Sequence, residues 1–332
     1  MKRKSIYITL AILLVVGGLG FVFRTQLTIL AFDLFMAEKV ENSLQHSYKP
    51  LQSEQAPEPT VLQSEPFSVM LLGSDQREDE AARSDTMILA VVRPKESNIL
   101  LISVPRDTYV DIVGRNHKDK ITHAFAFGGH QMAKDTMEAF LDEEIDYYAS
   151  INFTGLKDVI DAMGGVELPI GKDIVNKGWN HDKFTIKANQ PIYMGEDALN
   201  YVRYREDSDF NRTKRQQVFL DAAAKRLKQL DQIGKVPEYI EVMGDNFQTD
   251  MQPKFIVDLA KQLMAGGKPE MTSMTVMGKG VRYSGVYYNE PFDEDVQEAR
   301  DMIDNWMDPK TKESELMKPE KSDESEALGT VK

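Results

Sequence analysis

FSVMLLGSDQREDEAARSDTMILAVVRPKESNILLISVPRD, Phe67 to Asp107, carries three apolar runs in quick succession. FSVMLLG ends at Gly73, TMILAVVR is stopped by Pro94, and NILLISV is stopped by Pro105. Short uncharged runs bounded by Gly and Pro are the pattern of buried strands. The short intervals between them predict hairpins or a mixed sheet rather than a pure βαβ repeat. Each run also ends on or borders a charged motif: GSDQR with Asp75 and Arg77, RSDTM with Arg83 and Asp85, SVPRD with Arg106 and Asp107. Ligands of open α/β sheets usually bind where strands end. If the first two strands are neighbours, Asp75 and Asp85 come together at one sheet edge. Two carboxylates with phosphate oxygens and water suit magnesium. Taken singly, each motif also reads as an Asp-containing turn or a surface ion pair.

Toward the C-terminus, KDKITHAF adds Lys120 as a point charge for phosphate and His123 as a candidate base. A lone His is more often a packing or loop residue. His130 to Leu141 reads as a helix, DYYASINF as a strand, and TGLKDVIDAMGG as a helix closed by Gly164 and Gly165. VELPI reads as a short strand, residues 171–195 as a loop-rich insertion, and GEDALNYV as a short helix. YVRYREDSDFNRTKRQQ, Tyr201 to Gln217, then packs Arg203, Arg205, Arg212, Lys214 and Arg215 into a chain with 53 acidic and 40 basic residues, net charge -13. Arg203 and Arg205 alternate as on one face of an extended segment. Ser208, Asp209 or Asn211 can cap a helix running on through RQQVFLDAAAKRL. Cations beside a helix N-terminus hold phosphate well; the plainer reading is a solvated charged turn. Helices over Lys214–Leu230 and Pro253–Leu263, strands MTSMTVMG and VRYSGVYYN, and a helix over Asp293–Met307 complete the domain. From Pro309 the composition predicts a disordered polar tail, 309–332.

Toward the N-terminus, Pro50, Pro57, Pro59 and Pro66 mark a spacer. Leu27 to Leu44 reads as a helix that continues an anchor or lies at a membrane surface. Ile6 to Phe23 is uncharged, and roughly 18 residues is near the lower limit for a spanning helix. Lys2, Arg3 and Lys4 precede it, and no small-x-small cleavage pattern comes after it. The expectation is a cytoplasmic tail (1–5), an uncleaved transmembrane signal-anchor (6–23), a juxtamembrane helix and linker (24–66), and an extracellular domain (67–308) at the cell membrane. That domain is expected to be α/β, a mixed central sheet flanked by helices.

There is no cysteine, which removes disulfides, thiolate zinc sites and cysteine nucleophiles. The five histidines form no compact ligand pattern. The acidic balance disfavours nucleic acid as a partner.

In order, GSDQR, RSDTM, SVPRDTYV, KITHAFAFGG, IDYYASINF, DAMGGVEL, GEDALNYVRYR and DFNRTKRQQ resemble the motif series of the LytR-CpsA-Psr family, from about Leu71 to about Leu220. The resemblance implies an envelope phosphotransferase. Such an enzyme moves an anionic glycopolymer, such as wall teichoic acid or capsule, from an undecaprenyl-diphosphate carrier to a peptidoglycan hydroxyl. It also implies an apolar cavity for the polyprenyl tail. Its metal carboxylates fall on Asp75 and Asp85, with Mg2+ as cofactor. Its diphosphate-binding residues fall on Arg83, Arg106, Lys120, Arg203, Arg205, Arg212 and Gln216. Arg106 is also placed in the catalytic set, with Asp107 or Asp209 as the acid that takes the acceptor proton. Thr122-His123 and Ser208 depart from the family's usual Asn-Ala and Gly. The alternative is a membrane-anchored polyprenyl-phosphate-binding or regulatory module without turnover.

Overall fold

The three apolar runs form neighbouring strands of a six-stranded sheet in the computed structural model of the chain, which describes residues 34, 36–51, 64–75, 83–178, 183–204, 209–227, 229, 235–265 and 270–319. They are β1 (Phe67–Asp75), β2 (Arg83–Arg93) and β3 (Asn98–Ser103). β1 pairs antiparallel with β2, and β2 with β3, as the short intervals predict. After β3 the chain makes a small antiparallel pair, β4 (Tyr109–Asp111) with β5 (Lys118–Lys120), and then enters α2 (Thr122–Leu141). Helix α1 (Ala37–Leu44) precedes β1. β6 (Tyr147–Asn152) joins β1 in parallel, which makes the sheet mixed.

Helix α3 (Phe153–Ala162) starts where the Asn152 side chain accepts from the Gly155 amide at 2.9 Å, an N-cap that satisfies one orphan donor. Its end turns through Gly164 and Gly165, both at positive φ. A Cβ on Gly165 would lie 2.3 Å from Ile192 Cγ2, so the glycine is needed for packing as well as for φ. VELPI makes only an isolated bridge, Val166 to Tyr193, so the short strand read there is corrected. Within 171–195 a small hairpin forms, β7 (Ile174–Asn176) with β8 (Phe184–Ile186). Then come α4 (Gly195–Arg203), α5 (Asp209–Leu227), α6 (Val236–Met243), β9 (Phe247–Thr249), α7 (Pro253–Ala265) and β10 (Glu270–Thr275). β9 and β10 close the two edges, giving the order β10-β3-β2-β1-β6-β9. VRYSGVYYN is not one strand but a hairpin, β11 (Gly278–Tyr283) with β12 (Val286–Pro291). Ser284 and Gly285 both have positive φ, which matches the right-handed strand twist. Helix α8 (Asp293–Met307) packs on the sheet through Ala299, Met302, Ile303 and Trp306.

The sheet is buried on both faces, and this explains its uninterrupted apolar strands. Met87, Leu89 and Val91 of β2 point into the main core with Met137 of α2 and Met302 and Trp306 of α8. Ile88 and Ala90 point the other way, toward Leu220 of α5. A second core joins α3, α4, α5 and α6 around Ile160, Tyr193, Leu199 and Phe219.

Two boundary readings change. Helix α1 packs Val40 and Leu44 against Ile240 of α6 and Val257 of α7, and Tyr48 bridges Thr249, so the packed unit begins well before Phe67. Past α8, residues 309–319 are held rather than loose. Arg93, 1% exposed, donates to the carbonyls of Trp306, Asp308 and Thr311 at 2.7, 3.0 and 2.8 Å. Trp306 Nε1 donates to the Met317 carbonyl at 3.0 Å. The anchor read at Ile6–Phe23 and the tail from Glu320 lie outside the described residues. Among those described, no helix is long and apolar enough to cross a membrane.

Two titrating groups oppose each other in this fold. Burial, then the charges of Asp304, Asp146, Glu144 and Asp142, pushes the Glu143 carboxyl up to about 7. Its contribution is fully present below its ordinary 4.5 and is lost as pH rises through about 7. Burial holds His130, stacked on Tyr148, down to about 4, so its contribution is present above 6.5 and is lost as pH falls toward 4. Glu143→Gln removes the first effect. At pH 8 it should be more stable than the parent by about 1 kcal/mol, after discounting a half-exposed group for screening. At pH 4 the two should match. Urea midpoints at both pH values check this.

Candidate functional site

The β1–β2 ladder breaks register once, between Gly73 and Ser74. Gly73 pairs Thr86 and Ser74 pairs Ser84, so Asp85 has no cross-strand partner of its own. It is the extra residue of a β-bulge, a device that re-aims a side chain out of the regular pleat. Asp85 Oδ1 there meets Arg106 Nη1 at 2.5 Å and Arg212 Nη2 at 3.4 Å. Arg212 Nη2 also donates to the Asp85 carbonyl at 3.1 Å. Burial alone would raise the Asp85 carboxyl. The Arg212 and Arg106 guanidiniums outweigh it and hold the group below the usual carboxylate range. The carboxylate is therefore ionised at neutral pH.

Each partner is delivered by a defined local structure. Arg106 and Asp107 project from a turn closed by Thr108, whose amide and hydroxyl both donate to the Pro105 carbonyl, at 3.0 and 2.6 Å. The start of α2 clamps that turn: the Thr122 amide donates to the Arg106 carbonyl at 3.2 Å, and the Thr122 hydroxyl to the Ser84 carbonyl. Arg212 and Gln216 lie one turn apart on α5 and share a face. Gln216 Nε2 donates to the Thr86 hydroxyl at 2.7 Å, beside the bulge. Gln217 donates to Ser103 and Thr275 hydroxyls at 3.1 and 3.3 Å, which ties α5 to the ends of β3 and β10. A buried amide with its partners satisfied fixes orientation without leaving a polar penalty.

These groups wall a cavity of about 410 Å³. Asp85, Arg106, Asp107, Arg212 and Gln216 give it polar lining, and Met87, Val104 and Met277 give it apolar surface. Hairpin β11–β12 adds Gly278, Tyr287 and Asn289 to the lining. The Asn289 amide donates to the Asp107 carbonyl at 2.8 Å, which pins the hairpin to the arginine turn. The sequence pattern hides this wall because the hairpin reads as one strand. Ser284-Gly285, flanked by alternating residues, is the signal that could have revealed it.

Lys120 does not line the cavity but pairs with Asp107 Oδ1 at 2.6 Å, while Arg106 Nε faces Asp107 Oδ2 at 3.5 Å. His123 is turned to Asp119, at 2.9 Å, and away from these groups. The segment Tyr201–Gln217 divides. Arg212 and Gln216 face the cavity. Arg215 donates to the Tyr201 and Tyr204 carbonyls and packs over the Tyr204 ring, so it joins α4 to α5. Arg203 is the last residue of α4 rather than part of an extended segment, and its guanidinium lies 4.7 Å from the Phe153 ring centroid. Arg205 and Ser208 fall outside the described residues, as do the side chains of Asp75, Arg83 and Asp209. The backbone register sets Asp75 opposite Arg83, two residues from Asp85.

As chemistry, two guanidiniums converge at a cavity mouth, each with five donors, enough to hold Asp85 and an anionic oxygen together. Ionised Asp85 is a hard oxygen donor, the type magnesium selects, and Asp75 stands close along the same hairpin. No group of three or more candidate metal-ligating residues occurs among the described residues. A magnesium here would complete its shell with phosphate and water, as it commonly does.

Comparison with known proteins agrees with this geometry. Residues 34–304 match the model of the LytR_cpsA_psr family. The chain is 34% identical over 281 residues, 82% of its length and 91% of the relative's, to the polyisoprenyl-teichoic acid–peptidoglycan teichoic acid transferase TagU of Halalkalibacterium halodurans. Among solved structures it is similar to Bacillus subtilis TagV, at 29% identity and a TM-score of 0.63, covering 74% of this chain and 99% of that one. It is also similar to TagT bound to LIIa-WTA, at 29% identity and a TM-score of 0.59, covering 78% and 98%. With its cavity, bulge and arginine pair carried on this sheet, the chain belongs to the LytR-CpsA-Psr family.

Proposed function

We propose that this protein transfers an anionic glycopolymer, wall teichoic acid being the leading candidate, from an undecaprenyl-diphosphate carrier to a hydroxyl of peptidoglycan. The observation that carries the reading is Asp85 held between Arg106 and Arg212 at the cavity mouth. The activity named for TagU supports it. In this reading Arg106 and Arg212 bind the diphosphate, with Lys120 and Gln216 at its border and Arg83, Arg203 and Arg205 as further cations. The apolar part of the cavity takes the start of the polyprenyl tail. The acceptor oxygen bonds to the phosphorus that carries the polymer. The bond from that phosphorus to the bridging oxygen breaks, and polyprenyl phosphate departs with the electron pair. Asp107, at the cavity wall, accepts the hydroxyl proton; Asp209 is the other candidate. Magnesium, held by Asp85 and Asp75, would supply charge neutralisation on the diphosphate. Positioning and fixed charge do most of the work in such transfers. The anchor at Ile6–Phe23 would hold the domain at the outer membrane face, where both substrates lie.

The test is to give the detergent-solubilised full chain a lipid-linked glycopolymer, peptidoglycan oligomers and magnesium. A joined product and released polyprenyl phosphate are expected, and both should vanish with chelator. Tight donor binding with neither product would instead identify a binding module without turnover.

A further inference from the structure

The β11–β12 hairpin presents two unlike faces. By register, Tyr287 and Asn289 lie on the face that lines the cavity, whereas Tyr283 and Tyr288 lie on the other. On that second face Tyr109 packs between them, with ring centroids 5.0 Å from Tyr283 and 4.8 Å from Tyr288. Tyr283 is 42% exposed and its cross-strand partner Val286 47%. Two tyrosines of the ribbon clustered with Tyr109 of β4, beside open surface at the ribbon's tip, are more than the fold requires, since they belong to none of the main cores.

The patch is continuous with the reacting centre. Lys120 Nζ lies 5.7 Å from the Tyr288 ring centroid and 2.6 Å from Asp107 Oδ1. The other oxygen of the same carboxylate faces Arg106. Asp107 therefore stands where the cavity and the tyrosine face meet. A hydroxyl delivered from the tyrosine side arrives at an acid that lines the cavity and also faces the Arg106 guanidinium, at 3.5 Å.

We propose that the tyrosine face of this hairpin is the acceptor subsite, and that it takes the glycan strand of peptidoglycan by stacking sugar rings on Tyr283, Tyr288 and Tyr109. The proposal rests on the transfer reading above and adds to it where the acceptor lies and why Asp107 is the base. The apolar face of a pyranose suits an aromatic ring, and its hydroxyls suit the polar groups around this patch, among them Glu290, which accepts from the Tyr283 hydroxyl at 3.2 Å.

Transfer by the full chain is measured against increasing peptide-free glycan oligomers at saturating lipid-linked donor. Tyr283→Ala should raise KM for the glycan about tenfold, with kcat within about twofold. Tyr283→Phe, which keeps the ring, should resemble the parent. An unchanged KM in Tyr283→Ala, or a loss of donor affinity instead, overturns the subsite. If the parent forms no product, the transfer reading fails, and calorimetric titration with glycan oligomers decides the subsite separately. Binding lost in Tyr283→Ala sustains it, and equal binding, or none by the parent, overturns it.

Discussion

Arg106→Ala should abolish transfer while leaving a folded protein. In the proposed transfer the guanidinium would supply two things at once: charge on the phosphate oxygens and a fork that fixes their position. Removing one preorganised donor from such a site costs about a hundredfold to a thousandfold in rate, and the loss here should lie at or beyond the upper end because positional control goes with it. The fold should survive because Asp85 keeps Arg212, at 3.4 Å, and Asp107 keeps Lys120, at 2.6 Å. Neither carboxylate is left alone in a buried setting, which is the circumstance that makes a broken ion pair expensive. Arg106→Lys should recover little, since an ammonium keeps the charge and loses the fork. Steady-state transfer, with a thermal melt on the same preparations, reads both halves. Unimpaired transfer by Arg106→Ala would remove the turn from the site.

The second large effect concerns stability and leaves the site alone. Arg93→Met should cost about 3 to 5 kcal/mol. The side chain is almost fully buried, yet it is a cation whose donors reach one carbonyl in the last turn of α8 and two just past it, and pair with Glu96 at 3.2 Å. Methionine fills much of the volume and strands those carbonyls without their donors, the buried one of Trp306 at the greatest cost. Because Trp306 sits at that junction, its fluorescence should report the loss directly in a urea titration. A shift in midpoint of less than about 1 kcal/mol equivalent would mean that the segment past α8 contributes little to the domain.

The sheet was legible because its strands obey one rule. Runs such as TMILAVVR are apolar at almost every position, which only burial on both faces explains, and the Gly and Pro stops set their limits. α8 was equally plain, from Asp293 with three acids in its first turn to Met307. Asp85, Arg106 and Arg212 could be named from charge at strand ends and at a helix start. Their convergence depends on a bulge, a turn and a helix face meeting in space, and no local pattern encodes that. Arg215 shows the limit well. It has the same charge as Arg212, three residues along the same helix, yet it serves as a brace between helices, because the neighbouring carbonyls of Tyr201 and Tyr204 are within its reach. Arg93 was invisible for a related reason: its carbonyl partners are more than two hundred residues away. The hairpin was missed because tyrosine and valine favour strands so strongly that a two-residue reversal among them passed as continuation.

The extra residue in β2 has a consequence for how this fold can change. Asp85 takes no place in the pairing between β1 and β2, so deleting it would let Thr86 and Ser84 lie side by side opposite Gly73 and Ser74 in an unbroken ladder. The sheet can dispense with the very side chain that the arginines gather around. On the proposed transfer, a descendant lacking that one codon would keep its architecture and lose its chemistry in a single event, an inert copy hard to recognise by shape.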